Sequence, residues 1–406
     1  MREGIAPGHA LEHFRRENLP ELPWFAQSAA GASERQRIAI VGPSGTSLAG
    51  TFGALIHEIR EHGHEVICLA PGLDGPSGKV FSRMGVQCLS LRPMRRGVSP
   101  FSDQRNLLQL VSLLRKIDPD IAAGYSPKGA VLTAMAAKMA GVGHIVSLLA
   151  ELGRGFTDNP NTYSRAVHRL HKEMYRLTFR LSDTAVFLNE ENHKVLLRHN
   201  VLPPTLRQFP FNGGGVDLSM CPYTDLPPLD RGVMFLFAGP LDRRLGVQDF
   251  CEAARLLRTK NGNFRCLLAG PEVRGKYGFP LSELKRYREV VQYIGPQVDP
   301  RPLMARTHVF VLPATGDAVP NALIEAVAMG RPVITTTSRG CRVAVSEGTN
   351  GVLVPPGDPA ALASGMARLL VRPDLIPSMS RASRALAESR FDSRRIHEQL
   401  LNALGL

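Results

Sequence analysis

The sequence has few aromatic residues and no long apolar run. Only 6% of its 406 residues are aromatic, and it contains one tryptophan. No apolar stretch reaches the roughly 18 residues that a membrane-spanning helix needs. The nearest stretch, 130–142, contains Lys138, and residues 1–24 lack the apolar core of a secretory signal peptide. These absences argue against a helical membrane protein and predict a cytoplasmic one.

Cysteine and histidine patterns with metal-binding spacing are also missing. The six cysteines are scattered along apolar segments without CxxC spacing, so we expect small buried residues in a reducing compartment. The segment IHEIREHGHEV is rich in histidine, but His57 and His62 are five positions apart. A zinc-binding helix needs histidines at positions i and i+4, on one face. We therefore predict no metal site.

What the sequence does contain is an excess of positive charge. Its 49 Lys and Arg residues against 36 Asp and Glu give a formal net charge of +13. Such an excess predicts an anionic partner, which could be nucleic acid, an anionic membrane or a phosphorylated substrate. The low aromatic content and the lack of a recognition-helix pattern argue against nucleic acid. The other two partners remain open.

Strand and helix patterns alternate from residue 37 onwards. The apolar run 37–42 predicts a strand, 42–53 a glycine-rich loop, 54–62 a helix and 64–70 a second buried strand. A strand, a helix and a second strand in this order form a βαβ unit, whose crossover requires a parallel sheet. The loop is neither a clean GxGxxG nor a GxxxxGK[ST] motif, which argues against a dehydrogenase. Its glycines would let the backbone approach a ligand or another domain.

The alternation breaks once, at 209–232, a segment rich in proline and glycine, and then restarts. We therefore predict two doubly wound, Rossmann-like α/β halves. The expected organisation is a tail at 1–34, a first domain at 35–210, a second at 211–390 and a C-terminal helix at 391–406 that returns to the first domain. A ligand should bind between the halves, beyond the carboxyl ends of the strands.

A predicted helix at 162–182 carries a stripe of cations. At 100° per residue, one side collects Arg165, Arg169, Lys172, Arg176 and Arg180, and Val167, Leu170, Met174, Leu177 and Leu181 fall opposite. The stripe is either a plain solvated face or a surface for anionic lipid. We expect it to face a membrane.

The segment PATGDAVPNALIEA, 313–326, carries the most specific pattern. Asp317 and Glu325 are eight positions apart, and Pro320 between them is suited to the start of a helix. Carboxylates at such a strand–loop–helix junction can accept hydrogen bonds from sugar hydroxyls, and the exposed amides of the helix start can bind an anion. The alternative is a capping Asp and a solvated helix Glu.

With these segments in view, the sequence resembles the retaining family 4 glycosyltransferases of the GT-B fold. It looks closest to the branch that builds bacterial surface polysaccharides on a polyprenyl-diphosphate carrier. The resemblance extends over roughly residues 37–372. The matching segments are 62–66, 125–128, 152–157, 212–217, 246–247, 252–257, 268–271, 330–334, 340–342 and 350–356.

The resemblance implies a nucleotide-sugar donor, UDP-linked, on the second half and a lipid-linked acceptor on the first, with retention and no metal. Glu325 would bind the ribose and Asp317 would face the donor sugar. The remaining donor-binding positions would be Gly239, Gly270, Val319, Pro320, Asn321 and Ala322. On the acceptor side we expect Gly50, Gly53, Tyr125, Lys128 and Arg154. A packed residue at a strand end is an equal alternative for Tyr125.

The sequence departs from the family where the donor diphosphate should bind. The family's usual Arg and Lys in the first loop of the second half are Pro240 and Leu245 here, and the first acid of the pair is the shorter Asp317. The family's Arg before the helix aligns with Asn321, and the acid after Gly-Cys-Arg is Val343.

The loop that lacks the usual cations contains two others. Arg243 and Arg244 lie in it and could supply the missing positive charge. We therefore predict a catalytic role for both, together with Asp317. The alternative is a non-catalytic family member that acts as a binding or scaffold protein.

Overall fold

The structure is a computed structural model that describes residues 35–94, 99–152, 156, 165–213, 215–258 and 263–406. The predicted tail 1–34, Arg154 and the side chain of Arg165 lie outside the described residues.

The first half is built on a seven-stranded parallel sheet. Its order is β3-β2-β1-β4-β5-β6-β7, the order of a classic dinucleotide-binding fold with one added strand. The strands are β1 Arg37–Val41, β2 Glu65–Ala70, β3 Gln87–Ser90, β4 Ile121–Tyr125, β5 His144–Leu149, β6 Thr184–Phe187 and β7 Arg207–Pro210. The helices are α1 Gly45–Glu61, α2 Pro76–Arg83, α3 Pro100–Ile117, α4 Pro127–Ala140, α5 Arg165–Leu181 and α6 Glu190–Arg198.

The second half repeats this arrangement with six parallel strands in the order β10-β9-β8-β11-β12-β13. The strands are β8 Val233–Ala238, β9 Phe264–Ala269, β10 Val291–Gly295, β11 Val309–Leu312, β12 Val333–Thr336 and β13 Gly351–Val354. The helices are α7 Val247–Arg258, α8 Leu281–Leu284, α9 Arg301–Ala305, α10 Asn321–Ala328, α11 Arg339–Arg342, α12 Pro359–Val371 and α13 Leu375–Arg390.

The apolar runs predicted as strands are the buried centres of the two sheets. Ile38–Val41 of β1 and Phe235–Ala238 of β8 are buried throughout, because helices cover both faces of a doubly wound sheet. The predicted fold class, two doubly wound Rossmann-like halves, is confirmed. Among the described residues, no helix combines the length and the apolar character that crossing a membrane requires.

The last helix, α14 Ser393–Leu404, packs against the first half. Its Ile396, Leu400 and Leu404 share one buried cluster with β1 and α1. The His397 ring lies 2.6 Å from a Glu58 carboxylate oxygen of α1. The chain therefore crosses from the second half back to the first.

The predicted glycine loop at 42–53 is wrong. Helix α1 already begins at Gly45, because the Ser44 side chain caps it by accepting a hydrogen bond from the Ser47 amide at 3.1 Å. Gly50 and Gly53 are therefore helical residues. A Cβ atom at either position would meet no atom within 4 Å, so both face open space and not a packed neighbour.

The apolar face predicted for α5 is also wrong. Leu170 and Leu177 are 45% and 42% exposed, whereas Tyr175 and Phe179 are 2% and 1% exposed. Because the two aromatic side chains pack against the sheet, the helix is oriented about its axis with the two leucines on the outer surface.

Candidate active site

In each sheet the strand order changes direction between two adjacent strands, β1 and β4 in the first half and β8 and β11 in the second. The loops that follow these four strands lie at the two switch points. Such switch points leave a crevice at the carboxyl ends of the strands, where ligands bind in open α/β sheets. Apart from Arg154, which is not described, and Gly270, which follows β9, the predicted donor and acceptor residues lie at the ends of these strands, on these loops or on the helices that follow them.

Glu325 lies in the second turn of α10, just after the loop that follows β11. Most of its surface is buried, and this burial raises the pKa of the Glu325 carboxyl. The nearby Arg301 guanidinium opposes the rise, and the Asp299 carboxylate adds to it. Glu325 is therefore held in a partly dry environment next to a cation and is not a solvated helix residue.

Asp317 lies in the loop after β11 and is held from two directions. Its two carboxylate oxygens accept hydrogen bonds from Arg339 Nε at 3.2 Å and Nη2 at 3.0 Å. Its backbone carbonyl accepts a hydrogen bond from Asn189 Nδ2, in the first half, at 2.6 Å. The Asp317 side chain remains 20% exposed, so a ligand can still reach the carboxylate.

Four more of the predicted donor-binding residues, 319–322, lie in this loop and at the start of the helix. Helix α10 begins at Asn321, directly after Pro320 in extended conformation. Val319 and Ala322 are partly buried against the core of the second half. Asn321 is exposed. The amides at this helix start are available to an anion.

Gly239 and Gly270 lie where the loops after β8 and β9 touch. A Cβ atom at Gly270, whose φ is +147°, would lie 1.8 Å from the Gly239 carbonyl oxygen. This close approach is sufficient to require glycine at position 270, whether or not a ligand binds there.

Arg243 is engaged by a local acid. Its Nη2 donates to both carboxylate oxygens of Glu283, at 2.6 and 2.7 Å. Its guanidinium also lies 5.2 Å from the centre of the Phe279 ring. These contacts fix Arg243 to the loop and helix beside it.

Arg244 also has an acid partner but is more accessible. It forms an ion pair with Asp242, and its side chain is 53% exposed, against 31% for Arg243. The Arg244 guanidinium lowers the pKa of the Asp242 carboxyl and lies 4.7 Å from the centre of the Tyr277 ring. Of the two arginines, Arg244 is better placed to contact a ligand.

Of the residues predicted for the acceptor side, Tyr125 is packed. It is 9% exposed, its ring lies edge-on to Phe52 at 4.8 Å, and its hydroxyl lies 3.3 Å from the Thr51 hydroxyl. Lys128, at the start of α4, forms an ion pair with Asp103 at 2.5 Å. Tyr125 and α1 therefore form one wall of the first half.

Apart from Arg165, whose side chain is not described, the residues of the predicted basic stripe are at least partly exposed on α5. Arg169 and Arg180 are exposed, Lys172 is partly exposed, and Arg176 pairs with Glu173 at 2.5 Å. Leu170 and Leu177 are exposed among these cations, so the surface combines positive charge with apolar side chains.

Comparison with known families gives two matches on this chain. The family model of group 1 glycosyltransferases matches residues 232–372, and that of the glycosyltransferase 4-like domain matches residues 49–212. The chain belongs to the group 1, family 4-like glycosyltransferases. Its two halves therefore correspond to the two domains of a GT-B enzyme, and the fold and family expected from the sequence are confirmed.

Two curated relatives are bacterial glycosyltransferases. A Campylobacter jejuni N,N'-diacetylbacillosaminyl-diphospho-undecaprenol alpha-1,3-N-acetylgalactosaminyltransferase is 23% identical over 78% of this chain and 84% of the relative. An Escherichia coli UDP-Gal:alpha-D-GlcNAc-diphosphoundecaprenol alpha-1,3-galactosyltransferase is 22% identical over 68% of this chain and 72% of the relative. This glycosyltransferase is therefore similar to enzymes whose names include a diphosphoundecaprenol-linked sugar.

Among solved structures, Anabaena HepE in complex with UDP superposes with a TM-score of 0.71 at 16% identity. The match covers 91% of this chain and 99% of that chain. A Rickettsia africae glycosyltransferase gives a TM-score of 0.71 at 17% identity, covering 92% and 98%. Identities this low support a shared fold.

Sequence reasoning missed Arg339. Its neighbours Gly340–Arg342 match the family, but no spacing or residue type marks Arg339 itself. It is 3% exposed, and only the folded chain brings it to Asp317.

Proposed function

We propose that this glycosyltransferase transfers a sugar from a UDP-sugar to a lipid-diphosphate-linked glycan, with retention of configuration, in bacterial surface polysaccharide synthesis. The observation that carries the proposal is the loop and helix after β11. There, accessible Asp317 and partly buried Glu325 lie on either side of a helix start whose amides can bind a phosphate. The names of the two diphosphoundecaprenol-linked relatives support the choice of acceptor.

Each part of this site has a chemical task. The Glu325 carboxylate accepts hydrogen bonds from the ribose hydroxyls, and Asp317 accepts them from the donor sugar. The leaving UDP develops negative charge at its diphosphate, which the amides at the start of α10 and a nearby cation stabilise. Arg244 is the cation we assign to this task. Arg243, held by Glu283, supports the loop that presents it.

A direct test is turnover of a panel of UDP-sugars. The purified protein, given each donor with and without lipid extracted from bacterial membranes, should release UDP from one donor and transfer its sugar to the lipid fraction. UDP binding without turnover of any donor would favour the non-catalytic alternative. That alternative is consistent with the pairing of Arg243 and Arg244 to acids, which partly neutralises their charge. No UDP binding would overturn the proposed donor site.

We also propose that α5 holds the protein at the cytoplasmic face of an anionic membrane, where a lipid-linked acceptor is located. Each surface cation contributes about 1 kcal/mol of attraction near such a membrane, and exposed Leu170 and Leu177 can insert into the interface. Positive charge and apolar side chains on one helix face are the features of an interfacial helix. The exposed leucines support this proposal over a plain solvated face.

Vesicle sedimentation tests this surface. Changing Arg169, Arg176 and Arg180 to Glu should release the protein from phosphatidylglycerol vesicles, and raised salt should do the same to the parent. The matched control reverses three arginines of the second half, Arg286, Arg288 and Arg381. Equal release by both triple variants would mean that net charge, and not α5, controls binding.

A double change of Leu170 and Leu177 to Ser tests the apolar part separately. It should weaken vesicle binding at high salt more than at low salt, because the electrostatic attraction is then screened. Leu108, 56% exposed on α3, is the control position for the same change.

A further inference from the structure

We propose that Arg339 is a positioning residue that fixes the Asp317 carboxylate in the orientation in which it binds the donor sugar. The inference rests on the proposed function, since it requires a nucleotide-sugar in the cleft. It assigns to a buried side chain a role that neither the sequence pattern nor the family comparison indicates.

Arg339 is the first residue of α11, and hydrogen bonds hold the end of β12 just before it. The hydroxyl groups of Thr335 and Thr336 donate to the Leu312 and Ala314 carbonyl oxygens, at 2.6 and 2.5 Å, and tie the end of β12 to the end of β11. A Cβ atom at Gly340 would lie 2.0 Å from the Ala318 carbonyl oxygen. The loops that carry Arg339 and Asp317 are therefore in direct backbone contact.

The Arg339 guanidinium is almost fully buried, at 3% exposure of its side chain. A buried charge is tolerated when it is paired and hydrogen-bonded. Nε and Nη2 donate to the two Asp317 oxygens, and Nη2 also donates to the Phe156 carbonyl at 2.7 Å. The planar guanidinium thus fixes both the position and the rotation of the Asp317 carboxylate.

This pairing leaves Asp317 able to bind a ligand. A carboxylate offers about four lone-pair positions, and Arg339 occupies one on each oxygen. Sugar hydroxyls can reach this carboxylate through the 20% of the Asp317 side chain that is exposed. Because the carboxylate is ordered before the sugar arrives, the sugar does not have to order it.

The same contacts join the two halves at the donor sugar. Phe156, which accepts from Arg339, belongs to the first half, as does Asn189, which donates to the Asp317 carbonyl. Arg342 offers a matched comparison: it also reaches the first half, through an ion pair with Glu191, but within the described residues its side chain makes no hydrogen bond or ion pair with Asp317. Comparing variants of the two arginines therefore distinguishes loss of a contact between the halves, which both make, from loss of the contact with the Asp317 carboxylate, which only Arg339 makes of the two.

The test compares Arg339→Gln, Arg339→Lys and Arg342→Gln with the parent. It uses UDP and the UDP-sugar that the parent turns over fastest. Arg339→Gln should lower kcat at least 30-fold and remove the extra affinity for the UDP-sugar over UDP, while the Kd for UDP changes less than threefold. Arg339→Lys should recover part of kcat, and Arg342→Gln should stay within threefold of the parent in both quantities.

Asp317→Asn provides the second arm. If Arg339 acts through Asp317, this variant should reproduce the loss, and the double variant should lose no more than either single variant. Parent-like turnover by Arg339→Gln would overturn the proposal, as would an equal loss of UDP and UDP-sugar affinity. If Arg339→Gln does not fold, Arg339→Lys decides, and parent-like kcat in that variant overturns the proposal. A parent that binds no UDP contradicts the proposed function instead.

Discussion

The loops that follow the first strand of each half occupy the same place in the fold but have different chemistry. The loop after β1 is three residues long, and the helix that follows it exposes Gly50 and Gly53 to open space. The loop after β8 is eight residues long and carries Arg243 and Arg244. The short loop after β1 leaves room for a bulky ligand, whereas the longer loop after β8 places two cationic side chains at the corresponding position.

This difference teaches that the shared fold determines where a ligand binds and the loop determines which part of it is recognised. In the first half, residues 45–56 of α1 contain no Asp, Glu, Lys or Arg, which suits the uncharged glycan acceptor that we propose for this side. The second half offers cations, but each is partly neutralised by an acid, Glu283 or Asp242. If a diphosphate binds at this loop as we propose, it must therefore compete with these acids for the arginines.

The largest expected effect tests the charged loop. Changing Arg243 and Arg244 together to Ala should lower sugar transfer at least roughly 100-fold, or about 2.7 kcal/mol of transition-state stabilisation. Most of this loss should appear in the Arg244 single variant, because Arg243 is bound to Glu283. Steady-state kcat/KM with the preferred donor measures both. Arg255→Ala, which breaks a comparable ion pair on α7, should leave it unchanged; a parent-like double variant would contradict our assignment.

An intermediate effect separates nucleotide binding from the charged loop. Glu325→Gln should weaken UDP binding about tenfold, because hydrogen bonds to a charged carboxylate contribute about 1.5–3 kcal/mol. Isothermal titration measures the Kd, with exposed Glu289→Gln as the control. Unchanged UDP affinity would remove Glu325 from the donor site.

The raised pKa of Glu325 adds a pH dependence to that test. An acid with a raised pKa takes up its proton at a higher pH than an ordinary glutamate, for which the value is 4.5. As the pH falls from neutrality, Glu325 should lose its charge, and the parent's UDP affinity should fall, before ordinary glutamates titrate. The Gln variant should lack this decrease, and an identical pH profile in both proteins would argue against an ionised Glu325 in the complex.

The smallest effect concerns the glycines of α1. Gly50→Ala should stabilise the protein by about 0.5–1 kcal/mol, because alanine loses less backbone entropy in a helix and its methyl group meets open space. Gly42→Ala should instead destabilise it, since a Cβ there would lie 2.4 Å from Leu48 Cγ. Urea unfolding measures both, and a destabilised Gly50→Ala would mean that this face is packed.

The sequence predicted the fold well because the sheets are parallel and buried. Their strands are continuous apolar runs that need no knowledge of the partner strands, and the break at 209–232 separates two such series. The start of α1 was missed because its glycines are typical of a loop, whereas the cap at Ser44 allows the helix to begin at Gly45. The buried face of α5 was missed because Leu170 and Leu177 are more apolar by residue type than the aromatic Tyr175 that packs.

For the site, the spacing of Asp317 and Glu325 identified the loop and helix after β11, where both occur. It could not identify their charged neighbours. Arg339 is 22 positions away from Asp317 and Arg301 is 24 positions before Glu325. Arg339 reaches Asp317, and Arg301 comes near Glu325, only because the folded chain places β11, β12 and the surrounding helices side by side. Contacts of this kind depend on tertiary packing and leave no local pattern.

The return of α14 to the first half bears on how this chain is made. The apolar cluster that includes Ile38 also includes Leu404, so the first half cannot complete its core until α14 has left the ribosome. At about 5–20 residues per second, translation of the roughly 190 residues between β7 and the end of α14 takes on the order of 10–40 s. During that time the surface that α14 covers is open on the nascent protein. A chaperone that binds apolar surface can bind the nascent protein in that interval, before α14 has been made.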